Sequence, residues 1–323
     1  MSCWWSSANA SHGRGRHRGR RSGPAEADIR GVWSLVEPGA AGQPHRRSGT
    51  RGRSSFQWPM FSSLAFLPNV VPIGGRATVA IHVVPALVSS HRPPVLLIHG
   101  AANSSGIWRF WQEALADLGW SSYAVDLRGH GRSSGSIDGA TMSDYADDVA
   151  AAAAGLSETP VVMGWSMGGL VAIMVAARGH ARACVGLAPS TPVALRDDDL
   201  PIRPGVFGPE EYGITSLDPA TQPSMPDLDA QERAVALESA SQESRAARDD
   251  RKAGIVVSEL PCPLMVVTGS EDRAWPRPAY AGMHLRAEYL ESPGASHWGL
   301  VLNRRRLPDL ARRVAEWLDV NAA

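Results

Sequence analysis

From about residue 70 onward, short apolar runs closed by glycine or proline alternate with stretches of helical spacing, and this rhythm constrains the fold more than any other feature. PPVLLIHG (93–100) is a continuous apolar run ended by glycine, the pattern of a strand buried on both faces. In IWRFWQEALADLG (107–119), Ile107, Phe110, Trp111, Ala114, Leu115 and Leu118 fall at roughly 3.6-residue spacing, and Gly119 stops the helix. ATVAIHVV (77–84), SSYAVDL (121–127), PVVMGW (160–165), ARACVGLAP (181–189), PCPLMVVTG (261–269) and RAEYLES (286–292) read as further strands. SDYADDVAAAAAG (143–155), with Ser143 as its cap, SMGGLVAIMVAARG (166–179) and LPDLARRVAEWLDV (307–320) read as helices. Strands and helices alternating at this spacing imply βαβ crossovers, so the expected class is α/β, a mainly parallel sheet covered by helices on both faces.

The rhythm fails between about 190 and 258. Seven prolines fall between Pro192 and Pro226, followed by the charged, helical stretch DAQERAVALESASQESRAARDDRK. An insertion of this size after one strand of an open sheet reads as a lid over the strands' carboxyl ends, where ligands bind. The expected organisation is therefore core residues 60–190, a helical lid over 191–258, and core residues 259–323. Residues 1–59 differ from all of this: residues 1 to 60 hold ten arginines against three acids, with glycine and serine between them. That composition cannot bury enough surface to offset ordering entropy and reads as a disordered tail. It is compatible with a misassigned start upstream of Met60, an organelle transit peptide or a nucleic-acid arm. A twin-arginine signal fails, because no apolar segment follows Arg20 and Arg21.

Composition narrows the rest. Lysine plus arginine equals aspartate plus glutamate at 32 each, so no overall field favours nucleic acid or an anionic membrane. Cys3, Cys184 and Cys262 are too few and scattered for a disulfide framework or a zinc site, which makes a reducing cytoplasm the default compartment. No uninterrupted apolar stretch reaches the roughly 18 residues of a spanning helix.

One segment carries chemistry. In VVMGWSMGG (161–169) a buried strand breaks into glycines around Ser166, and a helix follows at once. Gly164-Trp165-Ser166-Met167-Gly168 is a G-x-S-x-G elbow, in which the turn is so sharp that side chains two residues either side of the serine would collide. The hydroxyl then stands above a helix amino end, whose unpaired N–H groups stabilise an oxyanion. With His99-Gly100 after the third strand, the loop DLRGHGRSSG (126–135), GSED and GASH, the chain over about residues 70–320 resembles the α/β-hydrolase family, in its lidded serine esterase and lipase branch.

A serine needs a base, and the base needs an orienting carboxylate. The resemblance implies that they follow in the order acid, then histidine. Only His284 and His297 lie in the final quarter; His297, in the glycine loop SPGASHWG, is the expected base, and His284 reads as a surface residue at a helix end. Asp272, three residues past Gly269, matches the family's acid position, and neighbouring Glu271 is rejected. The implied oxyanion donors are the backbone N–H groups of Ala101 and Met167. His99 and His130 read as loop architecture, and Arg128 and Arg132 as its tethers or as solvated charge. Trp108, Trp165 and Trp298 adjoin the oxyanion loop, nucleophile and base in sequence, and are candidates for an apolar acyl pocket or for core packing.

The expected chemistry is acyl transfer: cleavage of a small or lipid-like carboxylic ester through an acyl-enzyme on Ser166, with no metal or organic cofactor. Ser166 argues against epoxide and carbon–halogen hydrolysis, which place aspartate at the elbow in this family. DLRGHGRSSG and the lid resemble monoacylglycerol lipases and lysophospholipases, whereas GWS resembles short-chain carboxylesterases, including carrier-protein methyl ester esterases. Lactonase, carbon–carbon bond hydrolase, acyltransferase or perhydrolase activity, and non-catalytic ligand binding, stay open as alternatives. The expected partner is a small-molecule ester, with no nucleic acid beyond the basic tail.

Overall fold

The computed structural model describes residues 69–73, 77–88 and 90–322, so the reading of residues 1–59 as a disordered tail lies outside the described residues. The strands are β1 (Asn69–Ile73), β2 (Ala77–Val84), β3 (Val95–Ile98), β4 (Ser122–Val125), β5 (Val161–Trp165), β6 (Cys184–Leu187), β7 (Val206–Phe207), β8 (Glu243–Ser244), β9 (Leu264–Gly269) and β10 (Glu288–Ser292). The helices are α1 (Arg109–Asp117), α2 (Met142–Ala154), α3 (Met167–Ala177), α4 (Ala230–Glu238), α5 (Arg245–Ala253), α6 (Gly299–Leu302) and α7 (Leu307–Asn321).

Eight strands form one sheet in the order β1-β2-β4-β3-β5-β6-β9-β10. β2 pairs antiparallel with β1 and β4; every other pairing in the sheet is parallel. In β3, Val95 and Leu97 enter a core with Trp111 and Leu115 of α1 and Leu310 and Val314 of α7. Leu96 and Ile98 enter a second core with Tyr145 and Val149 of α2 and Leu170 and Val171 of α3. A strand clad on both faces has no polar side, which is why its sequence is a continuous apolar run. β3 sends the chain to β4 on one side, whereas β5 pairs on its other side. The carboxyl ends of β3 and β5 thus flank a switch point, the place where open α/β sheets form a crevice.

Two local expectations are corrected. The cap of α2 is Thr141, not Ser143: Thr141 Oγ1 accepts from Asp144 N while Asp144 Oδ2 accepts from Thr141 N, a reciprocal capping box. Ser143 is already helical, and its hydroxyl accepts from Arg178. The charged stretch after Pro226 is not one helix but two, α4 and α5, parted at residues 239–244 by an extended segment that ends in β8. Between β6 and β9 the chain also carries two 3-10 turns, Pro209–Tyr212 and Pro219–Thr221, and a two-stranded antiparallel ribbon of β7 with β8.

Candidate active site

Ser166 follows the last residue of β5 and precedes the first of α3, with φ 55° and ψ −118°. A positive φ on a residue bearing a Cβ is strained, and surrounding bonds must hold it. Ser166 N donates to Leu187 O at 3.0 Å, and its carbonyl accepts from Gly169 N and Ser190 N. The flanking glycines are required by space: a Cβ on Gly164 would strike the carbonyl of Gly168, and one on Gly168 would strike the carbonyls of Ile98 and His99. The serine turn and the end of β3 are therefore in backbone contact, and Ser166 remains partly exposed.

Asp272 lies in the turn after β9, its side chain fully buried. Its Oδ1 accepts from Ala274 N at 2.8 Å and Trp275 N at 2.9 Å, and its Oδ2 accepts from His297 Nδ1 at 2.8 Å. Burial alone would raise this carboxyl, but the His297 bond and charge and the two N–H groups outweigh it and hold the pKa below its ordinary value. Glu271 next to it is exposed. A carboxylate only accepts, so His297 Nδ1 carries a proton, and in the neutral ring the lone pair falls on Nε2. His297 O accepts from Trp165 Nε1 at 3.1 Å, and the two rings lie 5.0 Å apart. The expected base thus sits against the residue that precedes Ser166. No hydrogen bond between Ser166 and His297 is found among the described residues; such contacts are often long before substrate binds. His284 is exposed, in a loop after the 3-10 turn Arg277–Tyr280 rather than at a helix end, with its ring bonded to Val257 O.

The loop after β3 is fixed peptide by peptide. His99 Nδ1 donates to Gly100 O at 2.9 Å, and His99 Nε2 accepts from Leu127 N at 3.2 Å, an assignment that follows from the partners. In a trans peptide C=O and N–H point opposite ways, so holding Gly100 O aims Ala101 N–H away from His99. Burial and neighbouring His130 push the His99 pKa down to about 4, which keeps the ring neutral for this task. The N–H groups of Ala101 and Met167 have no hydrogen-bond partner among the described residues. Arg128 is a tether, bonded to Asp144 and Asp148, and the Arg132 side chain is exposed.

Trp165 and Trp298 pack with centroids 4.9 Å apart, and both are buried; Trp108 is wholly buried and packs edge-on to Trp111. Sequence reasoning missed two carboxylates that the segment between β6 and β9 sends to these loops. Asp227 Oδ2 accepts from Ser296 N at 3.1 Å, one residue before His297, and Asp227 O accepts from Asn303 Nδ2 at 2.7 Å. Glu243 Oε2 accepts from Ala102 N at 3.0 Å, one residue after Ala101. Each sits in a polar, non-periodic stretch, where nothing in the sequence distinguishes it from solvated charge. Among the described residues no group of three or more His, Cys, Asp or Glu converges as a metal site requires, and no helix is long and apolar enough to cross a membrane.

A sequence profile described as the alpha/beta hydrolase family matches residues 95–310, which include the serine turn, the Asp272–His297 pair and the loop after β3. The chain belongs to the alpha/beta hydrolase family. Within the family, it is 32% identical over 128 residues to a pimeloyl-acyl-carrier-protein methyl ester esterase of Stenotrophomonas maltophilia, covering 39% of this chain and 47% of that protein. The chain spans about half the length of the curated relatives it matches. Among solved structures, a thermophilic esterase of Thermogutta terrifontis aligns with a TM-score of 0.59 and 20% identity, over 79% of this chain and 99% of that one. A monoacylglycerol lipase of Paleococcus ferrophilus aligns with a TM-score of 0.52 and 20% identity, over 74% and 98%. At these identities the solved structures show the fold alone.

Proposed function

We propose that the chain is a serine carboxylic ester hydrolase with Ser166 as nucleophile, His297 as base and Asp272 as the group that orients the base. The observation that carries this reading is the His297 Nδ1–Asp272 bond, which leaves the lone pair of Nε2 as the ring's proton acceptor. Nε2 takes the Ser166 proton as the hydroxyl oxygen attacks the ester carbonyl. The oxyanion receives the N–H groups of Ala101 and Met167, at the ends of β3 and β5. Collapse of the tetrahedral species passes the proton from Nε2 to the leaving alcohol and leaves an acyl group on Ser166; water, activated by the same imidazole, releases the acid. The negative charge of Asp272 stabilises the imidazolium that forms at each step.

The 191–258 insertion is the proposed lid, and Trp165 and Trp298 are the proposed inner wall of the acyl site behind the base; the complete burial of Trp108 favours core packing for that residue. The relatedness to a carrier-protein methyl ester esterase favours a methyl or other short alkyl ester as the bond cleaved. Hydrolysis of a p-nitrophenyl ester series from about two to sixteen acyl carbons, by the wild type and Ser166→Ala side by side, tests the reading; removal of such a nucleophile costs on the order of a millionfold in kcat. Equal activity in Ser166→Ala would refute the assignment, and a folded wild type inert toward every ester, methyl esters included, would refute the ester hydrolase.

A further inference from the structure

The proposed oxyanion loop is gripped from the far side of the molecule's sequence by the segment that parts α4 from α5. Ser241 N donates to Ala102 O at 2.9 Å, while Glu243 Oε2 accepts from Ala102 N at 3.0 Å, so both polar groups of Ala102 are held. Asn103 Nδ2 donates to Ala101 O at 2.9 Å, and its Oδ1 accepts from Ser239 Oγ at 3.2 Å. Ser104 Oγ donates to Ser239 O at 3.1 Å. Ala102 has φ 55°, a left-handed conformation that an alanine keeps only when its surroundings impose it. His99 sets the peptide that carries the Ala101 N–H; Asn103 and Glu243 set the next one.

Glu243 is a costly way to make one hydrogen bond, because its carboxylate is wholly buried. Its environment is nevertheless complete. Oε1 accepts from Tyr145 OH and from Ser244 N, each at 2.7 Å. His130 Nδ1 donates to Arg128 O at 2.9 Å, so its Nε2 is free to carry a second proton, and it stands 3.7 Å from Glu243 Oε2 with no hydrogen-bond partner of its own. A bare negative charge one peptide from the oxyanion donors would oppose the charge that develops there. With its second proton in place, His130 would cancel that charge locally while the hydrogen bond to Ala102 persists.

We infer that Glu243 is a positioning residue of the active site: it is carried on the insertion, it stands beside His130, and it sets the loop that presents the Ala101 N–H to the oxyanion. The inference rests on the ester hydrolase reading for its kinetic consequence, but not for its structural one. Glu243→Gln is the selective variant. Its amide oxygen satisfies Tyr145 OH and Ser244 N, which turns its NH₂ group toward Ala102 N–H, so that one bond is lost. Asp249→Asn, which disturbs the Arg203–Asp249 pair elsewhere in the insertion, is the control for general loosening.

The test measures kcat and KM with p-nitrophenyl acetate, the inhibition constant of an alkyl trifluoromethyl ketone that adds to serine as a charged tetrahedral species, and NMR amide exchange at Ala102. In Glu243→Gln we expect kcat to fall about ten- to a hundredfold with KM within about threefold, and ketone affinity to fall by the same factor as kcat. Exchange at Ala102 is expected to speed up at least about tenfold, as for an amide that has lost its acceptor. Asp249→Asn is expected to leave kcat within about twofold of wild type, as for a substitution remote from the site. A Glu243→Gln enzyme whose kcat and ketone affinity match wild type, or whose losses are equalled by Asp249→Asn, overturns the inference. If Glu243→Gln does not fold, Glu243→Asp, which keeps the charge but withdraws the oxygens by one methylene, is held to the same outcomes. If wild type shows no Ser166-dependent turnover, the ester hydrolase reading fails by itself; unchanged exchange at Ala102 in the folded variant then still rejects the role of Glu243.

Discussion

At the scale of single residues, the turn around Ser166 is over-determined, and each constraint has its own signature. Gly168 is required because a side chain there would strike two carbonyls at the end of β3. Backbone atoms in a sheet cannot step aside as a flexible side chain would. Gly168→Ala is therefore expected to destabilise the fold by about 3 kcal/mol or more, read as a lower urea midpoint; a midpoint within error of wild type would show that β3 and the serine turn separate easily. Asp272→Asn makes the opposite split. The carboxamide is nearly isosteric, so folding should survive, but its NH₂ group can face His297 Nδ1 only by reversing the tautomer and removing the lone pair from Nε2. A fall in kcat on the order of 10⁴ with little change in melting temperature is expected, and a mild effect would move the orienting role to another carboxylate. The expectation of Asp272 rests on its place three residues past Gly269, which the resemblance marks as the acid position; that Ala274 and Trp275 N–H groups bond its Oδ1 was not legible, because backbone donors leave no mark on the sequence.

At the scale of elements, what the sequence disclosed tracks how many neighbours an element needs. β3, β5 and α3 are buried on all sides, so composition alone marks them. Boundaries that depend on one side chain are harder. Ser143 and Thr141 both satisfy the cap preference, and only the reciprocal bond with Asp144 chooses between them. Thr141→Ala should cost about 1 kcal/mol and lower the melting temperature by about 2–4 °C, whereas Ser143→Ala should change it by much less; equal effects would remove the capping box from the account. The split between α4 and α5 was invisible for a different reason. Residues 230–253 contain no glycine or proline, so no strong breaker marks where one helix ends and the next begins. What opens it is tertiary: Ser241 and Glu243 gain partners on the loop after β3 that a helical backbone would deny them.

At the scale of the molecule, the insertion between β6 and β9 holds two of the loops that the sheet presents at its carboxyl edge: Asp227 reaches the loop that carries His297, and Glu243 the loop after β3. The second hold is electrostatic and so depends on pH. Burial alone would raise the Glu243 carboxyl, but His130, Tyr145 and Ala102 N–H outweigh it and bring it down to about 2. Burial alone would lower His130, but the Glu243 charge, the Arg128 carbonyl and Asp126 outweigh it and raise the imidazole above its ordinary 6.5. A carboxyl with a lowered pKa stabilises the fold above its unfolded value, and that contribution disappears as pH falls through the folded value. A histidine with a raised pKa stabilises below its unfolded value, and that contribution disappears as pH rises through the folded one. The pair is thus at full strength from about pH 4.5 to 6.5 and weakens on the alkaline side as His130 gives up its proton. His99, whose ring lies 5.0 Å from His130, acts in the opposite sense: its pKa of about 4 means that it must be charged against burial as pH falls. The two are separated by the pH window: burial, the larger cause of the low His99 pKa, persists in His130→Gln and keeps that ring neutral from about pH 6 upward, and Asp126 and Tyr145, which also face His130, are present in both proteins. The stability gap between the two proteins, from urea unfolding at steps between about pH 6 and 9, should be largest at pH 6 and shrink steadily as pH rises. A gap that stays flat or widens would mean that His130 is neutral in the fold, and the insertion would then be held to the loop by hydrogen bonds alone.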